Sequence, residues 1–361
     1  MAAAAPPSLS FPRPVFAKLS PHPYLLRTLA PQVSPDTPTP KPSRTNGRAP
    51  HEARPVYIHT SSLSHAHGSA LVRVGDTTVI CGVRGEILPV TSIPQYRPRA
   101  DFGEDDDEET RRAGRGELKD YDLLVPNIEL ATGCAPQFLP GVPPSTLAQT
   151  ISTRVYSLLH SCAVVDAKNL RIWASPVVTK PTGCDDDADK MEEDDEEEEE
   201  KPELVAYWVL YVDILVVSFD GNPFDAAWMA VLAALRDTKL PVVTWDSDRG
   251  VAFCSRNAEK RKLQIKGLPV ACTAAVFLEK EHGSETSGEE NNRHWILLDP
   301  DRSEETLCGE TITMVVDCEG GETRLRSLEK QGGTVIGREL IRGFAGVAEK
   351  RWREVKGAMS K

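Results

Sequence analysis

Gly68-Ser-Ala-Leu-Val-Arg-Val-Gly75-Asp-Thr-Thr-Val-Ile-Cys-Gly-Val83 holds two runs rich in β-branched residues joined by a Gly75-Asp76 pair. Alternation within each run predicts half-buried strands, and the Gly-Asp pair predicts the tight turn of a hairpin. Upstream, Val56-Tyr-Ile-His59 predicts a third strand. Downstream, the pattern changes period. From Ser145 the apolar residues Leu147, Ile151, Val155, Leu158 and Cys162 recur at spacings of three and four, which predicts a helix. Strands are predicted near Leu170 to Trp173 and Leu204 to Phe219. Asn222 then reads as an N-cap, Pro223 as the first helical residue, and Phe224, Trp228, Val231 and Leu235 as one apolar face. Further strands are expected at Leu268 to Phe277, Trp295 to Leu298 and Thr311 to Val316. A last helix is expected from about Thr334 to Val355. Strands that first meander and then alternate with helices imply an α+β fold, here a single domain over residues 46–358.

The flanks and insertions differ in composition. Twelve of the 28 prolines fall in the first 50 residues, so residues 1–45 read as a Pro-rich arm. Within it, Tyr24, Leu25 and Leu29 would share one side of a short helix beside Phe16. That helix is expected to dock on a neighbouring chain; the alternative is that it folds back on its own domain. Two acidic runs, Asp101 to Glu109 and Asp185 to Glu200, hold 20 of the 54 acids. They account for the net charge of -12, since the rest of the chain has slightly more bases than acids. Residues 97–116, with Arg97, Arg99, Arg111, Arg112 and Arg115 around the first run, read as a long mobile loop. The second run buries nothing and is expected to be dispensable for folding.

Several function classes drop out. The longest apolar stretches, Leu204 to Val212 and Ala226 to Leu235, are about half the length of a membrane span. Pro6, Pro7, Pro12 and Pro14 interrupt any secretory leader. Eight cysteines without a C-x-x-C pair read as reduced core residues of an intracellular protein. No phosphate loop, nucleophile elbow or helical histidine pair is present. His65 and His67 would share a face in an extended segment but lack a third ligand. Two places invite a closer look. The helix start at Asp220 to Asp225 aims free N–H groups outward, as anion sites do, although Pro223 and Asp225 weaken it. The acids Asp299, Asp301, Glu304, Glu305 and Glu310 follow a strand closely enough to suggest a divalent-cation site, against the plainer reading of a solvated loop.

Asn46-Gly-Arg48, Glu52-Ala-Arg54 and the Gly68 to Val83 hairpin, followed in order by Val212 to Gly221 and Leu298 to Glu305, resemble the RNase PH superfamily. The resemblance runs from about residue 16 to the C-terminus, leaves the acidic runs unmatched, and implies mixed sheets packed with helices. Ser43-Arg-Thr-Asn-Gly-Arg48 departs from the Arg-Pro-Asp-Gly-Arg usual there. In the phosphorolytic branch an arginine at the helix start grips phosphate and aspartates after the later strand serve catalysis. Here the helix start reads Gly221-Asn222-Pro223-Phe224, with Phe224 in place of the arginine. Glu305 and Thr311 stand where the aspartates are expected. Without a guanidinium the phosphate clamp is lost, and threonine is neither acid nor base.

The resemblance therefore implies a non-catalytic ring subunit of the eukaryotic RNA exosome, in the branch that serves ribosomal-RNA processing. Its implied partners are other RNase PH-like ring subunits, RNA-binding cap subunits, an associated nuclease, and single-stranded RNA passing through the ring channel. No cofactor, metal or membrane contact is expected, and the implied location is nucleus and nucleolus, with cytoplasm. RNA contact is expected first at the five arginines of the 97–116 segment, unless they merely neutralise the acids beside them. The rival functions are a phosphate-dependent 3'-to-5' exoribonuclease and a free-standing adaptor whose acidic run binds basic proteins.

Overall fold

The computed structural model describes residues 11–31, 41–94, 96–97, 108–174, 203–246, 249–255, 258–279, 294–333 and 335–360, with the backbone alone at 108–111. The arm forms helices α1 (Arg13–Leu19) and α2 (Pro21–Leu29). Strands β1 (Val56–Thr60), β2 (Gly68–Val74) and β3 (Thr77–Pro89) follow, then α3 (Glu108–Asp120), β4 (Leu124–Leu130), α4 (Thr146–Cys162) and β5 (Arg171–Ala174). The long β6 (Glu203–Ser218) leads into α5 (Pro223–Asp237) and four short strands: β7 (Lys239–Leu240), β8 (Val243–Asp246), β9 (Val251–Cys254) and β10 (Arg261–Lys262). The chain continues through β11 (Val270–Leu278), β12 (His294–Leu298), α6 (Arg302–Leu307), β13 (Glu310–Asp317), β14 (Arg324–Gln331) and α7 (Arg338–Met359).

Two sheets carry the fold. The first runs β1-β2-β3-β6-β4, and β5 pairs with the other half of the same side of β6. All its pairings are antiparallel except β4 with β6. The second is antiparallel, in the order β12-β11-β13-β14. Helix α5 lies between them, packed on β2 and β3 on one side and β11 on the other. That position explains its composition: every residue from Pro223 to Leu235 is buried, so a single apolar face would not have sufficed. Trp228 on α5 and Trp352 on α7 both donate their indole N–H to the 268–269 segment, at Pro269 O (2.6 Å) and Leu268 O (2.7 Å).

The hairpin, α4 with its Ser145 cap, and the later strands match the sequence reading; Ser145 Oγ accepts from Ala148 N at 3.2 Å. Five of the described cysteines are buried, Cys318 is half-buried and Cys254 exposed, and all are free. Two expectations are overturned. The first is the 97–116 loop, whose second half is helix α3. Its buried Glu117 receives the Arg171 guanidinium through two hydrogen bonds and the Tyr207 hydroxyl at 2.5 Å, and Leu118 is buried beside it. The anchored carboxylate and the buried leucine help to hold a helix whose composition looks purely solvated. The second is the docking arm. Leu25 (0% exposed) and Leu29 (1%) form a core cluster with Ala275, Phe277, Leu297 and Cys308, and His22 lies 4.6 Å from the Phe277 ring. The arm folds back on its own domain, over an apolar face of β11 and β12 that it shares with Leu307 and Cys308. The second acidic run, Asp101 to Asp107 and Arg99 lie outside the described residues.

Candidate functional site

Strand β6 ends in Phe219-Asp220-Gly221-Asn222, the turn that starts α5. Gly221 has φ +80, and a Cβ there would meet the backbone of Pro300 to Arg302 at 2.5–2.7 Å. Glycine thus lets the β12–α6 turn rest directly on the start of α5. Arg54 ties the two turns together. Its Nε and main-chain N both donate to Asp299 Oδ2 at 2.9 Å, and its guanidinium reaches Asp299 Oδ1 (2.8 Å), Asp220 O (2.6 Å) and Gly221 O (3.2 Å). Arg44 donates to Glu304 Oε2 at 3.1 Å and to the carbonyls of Pro50 and Leu298, while Arg48 donates to Asp299 O at 3.1 Å. Asp301 caps α6 in a reciprocal capping box with Glu304. Burial pushes Asp299 upward, but the hydrogen bonds and charge of Arg54 outweigh it and hold the carboxyl below its usual range. Burial lowers Arg44 to about 10 despite Glu304.

The acids after β12 are therefore partners for arginines and backbone, and the divalent-cation reading fails. Among the described residues no group of three or more His, Cys, Asp or Glu is arranged to hold a metal. His65 is exposed in a turn, and His67 Nδ1 accepts from Gly85 N at 2.9 Å, so that pair is not a site either.

The helix start is closed by the protein itself. Asn222 N donates to Glu305 Oε1 at 2.6 Å, which puts a carboxyl of the chain on the free N–H that an anion would use. Asn222 does not cap α5 as its type suggested. It sits at φ +47, and its Nδ2 donates inward to Asp225 Oδ2 (2.8 Å) and Asp299 Oδ1 (2.9 Å). Asp225 also accepts from Thr273 N (2.8 Å) and Thr273 Oγ1 (2.7 Å), and burial raises its pKa. Phe224 is buried, and the Arg154 guanidinium of α4 covers its ring at 3.8 Å. Pro223 supplies no N–H. Gly221, Asn222, Pro223 and Phe224 thus form a packed turn joined to Glu305, whereas Thr311 lies on β13 opposite Ala275 and Gln331.

Burial raises Glu305 to about 7, opposed by the Asn222 N–H and by Arg54. Between the ordinary 4.5 and about 7 the folded chain holds a proton that the unfolded chain has released. Stability from this group is therefore full below 4.5 and declines as the pH rises through 7. Glu305→Gln keeps the acceptor oxygen and removes the charge. It is expected to match the parent at pH 4 and to exceed it by on the order of 2 kcal/mol at pH 8, read from urea unfolding. An advantage confined to acid pH would show that the carboxyl is ionised in the native state.

The arginines proposed for RNA do not form one loop. Arg97 is exposed before the gap, and Arg111, Arg112 and Arg115 ride on α3, where Arg112 is exposed and Arg115 half-buried. Arg99 lies outside the described residues. Sequence reasoning quoted Arg44, Arg48 and Arg54 within motifs and Asp225 in the first helical turn without giving them partners, and passed over Thr273. Their signal was the pairing of a basic 44–54 segment with an acidic 299–305 segment, separated by some 250 residues.

Residues 52–241 match the family described as 3' exoribonuclease family, domain 1, RNase_PH. The chain is 28% identical to the exosome complex component rrp43 of Schizosaccharomyces pombe over 95% of its own length and 97% of that protein's. It is 25% identical to the exosome complex component Rrp42 of Methanothermobacter thermautotrophicus, over 85% and 86% of the two chains. A solved chain of the Archaeoglobus fulgidus exosome with RNA bound to the active site superposes with a TM-score of 0.59, at 22% identity, covering 95% of this chain and 98% of that one. A chain of an archaeal exosome core gives 0.51.

Proposed function

From the premise that the chain belongs to the RNase PH family, we propose that it is a non-catalytic subunit of an RNA exosome ring, supporting 3'-to-5' RNA processing and degradation as a scaffold. The observation that carries the non-catalytic part is the closed start of α5. Glu305 holds the N–H that would meet phosphate, and Phe224, capped by Arg154, replaces the guanidinium clamp. A phosphate ion would have to displace the Glu305 carboxyl and would find Phe224 where a bidentate arginine is needed, which counts against the exoribonuclease alternative. The Phe16 to Tyr24 lead-in and the Leu298 to Glu305 segment most resemble the ring subunit called ribosomal-RNA-processing protein 43, and the near-complete overlap with the rrp43 relative supports that branch. Its partners in this reading are other RNase PH-like subunits, cap subunits, an associated nuclease and single-stranded RNA, in nucleus, nucleolus and cytoplasm.

Purification of the endogenous chain tests the assembly. A native mass corresponding to one copy beside several RNase PH-like chains is expected, and a monomer or homo-oligomer would sink the ring reading. The purified chain, given single-stranded RNA and inorganic phosphate, is expected to release no nucleoside diphosphates. Release that Glu305→Ala alters would place chemistry at this turn after all.

A further inference from the structure

The β7–β10 ladder gathers cations that no sequence motif had grouped. Lys239 pairs with Lys262 and Leu240 with Arg261 in its register, and Lys260 precedes it. All four cationic side chains are exposed, and among the described residues no ion pair joins them to an acid. Arg84 belongs to the same surface. After burial, the charges of Lys260 and Arg84 are what hold the His67 imidazole below its ordinary pKa, so both stand near that ring. Among the described residues, Glu86, paired with Arg84 at 3.0 Å, exposed Glu259, and exposed Glu203 opposite Ala174 are acids in or next to these segments, fewer than the five cations.

A pocket of about 240 Å³ opens next to the ladder. Arg261 and Lys262 of β10, Arg171 and Trp173 of β5 and Trp208 of β6 are among its lining residues. Arg171 is held rigidly by Glu117, and Trp173 is 37% exposed at the end of β5, an unusual placement for a ring of that size. Cations in a row beside an exposed aromatic plane are what a single strand requires, charge for its phosphates and a π-face for an unstacked base. An acidic peptide would satisfy the lysines but leave the pocket and its tryptophan unused. A duplex keeps its bases stacked and out of reach of Trp173.

We propose that the β7–β10 ladder and this pocket bind single-stranded RNA, with Lys239, Lys260, Arg261 and Lys262 on the phosphates and Trp173 against a base. The choice of RNA as the strand rests on the proposed function; the cationic and aromatic geometry does not.

The test is fluorescence anisotropy of a labelled uridine oligomer of about 20 nucleotides with the full chain, titrated across salt concentrations. The Arg261→Ala/Lys262→Ala chain is expected to bind at least tenfold more weakly at about 50 mM salt. Its plot of log affinity against log salt should be shallower by roughly 1.4, the counterion release of two lost contacts. Trp173→Ala is expected to lose about tenfold with the slope unchanged, since a stacking contact carries no counterions. Both variants alter exposed positions, and an unchanged thermal melt verifies their fold. Equal affinity and slope in the double variant would overturn the proposal. So would polyglutamate displacing the oligomer as well as unlabelled RNA does, with Trp173→Ala silent, because the surface would then be one for acidic proteins. Co-purification separates this inference from the ring reading. Ring subunits retained by the double variant together with undiminished RNA affinity would refute the site alone, whereas their absence from the parent chain would refute the ring reading alone.

Discussion

Replacing Arg54 by alanine is expected to destabilise the chain by about 3–5 kcal/mol, the usual consequence of removing one partner from a buried ion pair. The Arg54 side chain is 8% exposed and that of Asp299 3%, so water cannot take over the arginine's role. Two side-chain donors to Asp299 and those to the Asp220 and Gly221 carbonyls vanish together, and the turn before α5 loses its hold on the β12–α6 turn. Main-chain N–H donation from residue 54 survives, which is why the effect falls short of unfolding outright. Asp299 has a depressed pKa in the parent, so its stabilising share is present above the ordinary 3.8 and disappears as the pH falls below it. The difference between parent and Arg54→Ala should accordingly narrow below pH 4. Adding Asp299→Asn to the variant should recover part of the loss, since the orphaned charge goes with it. Urea denaturation at pH 7 and pH 3.5 measures all three; a loss under 1 kcal/mol at neutral pH would mean that the pair is solvated.

Deleting residues 1–31 is expected to do more than impair assembly. It uncovers Ala275, Phe277, Leu297 and Cys308, and it removes two fully buried leucines and the His22 Nε2 contact with the Leu278 carbonyl at 3.0 Å. Leu25→Ala and Leu29→Ala should each cost about 2–5 kcal/mol, the range for leucines truncated in a closed core. The deletion combines both and exposes an apolar sheet face, so a lower melting temperature and aggregation on heating are the expected results. A truncated chain that melts with the parent and merely fails to join a complex would restore the docking role.

Where sequence and structure agree, a single period governed the segment. The Gly68 to Val83 hairpin alternates from Val72 onward, and α4 and α7 each bury one stripe against a sheet. Helix α5 was legible from its Pro223 start, although its burial on all sides shows only when both sheets are in place. Strand β14 escaped because Arg-Leu-Arg-Ser-Leu-Glu-Lys-Gln lies at a sheet edge, exposed over most of its length and without a buried face to impose alternation. Helix α3 escaped because its hold is a carboxylate, Glu117, whose partners Arg171 and Tyr207 lie 54 and 90 residues away. The same holds for the candidate site. Motif reading found Gly221 to Phe224 and Glu305 separately, but a hydrogen bond between positions 222 and 305 has no local signature. Asn222 illustrates the reverse error: its residue type fits a cap, and two buried carboxylates claim its side chain instead.

The arm and the arginines behind it also dictate an order of events during synthesis. His22 waits for Leu278, Arg44 for Glu304 and Arg54 for Asp299, separations of 256, 260 and 245 residues. At roughly 5–20 residues per second, a ribosome takes on the order of 10–50 s to deliver those partners. Through that interval Leu25 and Leu29 remain uncovered near the emerged N-terminal end, and the second sheet that must receive them does not yet exist. Nascent chains arrested before residue 298 should therefore be protease-sensitive and bound by chaperones. Closure becomes available only once β12 and α6 have cleared the exit tunnel.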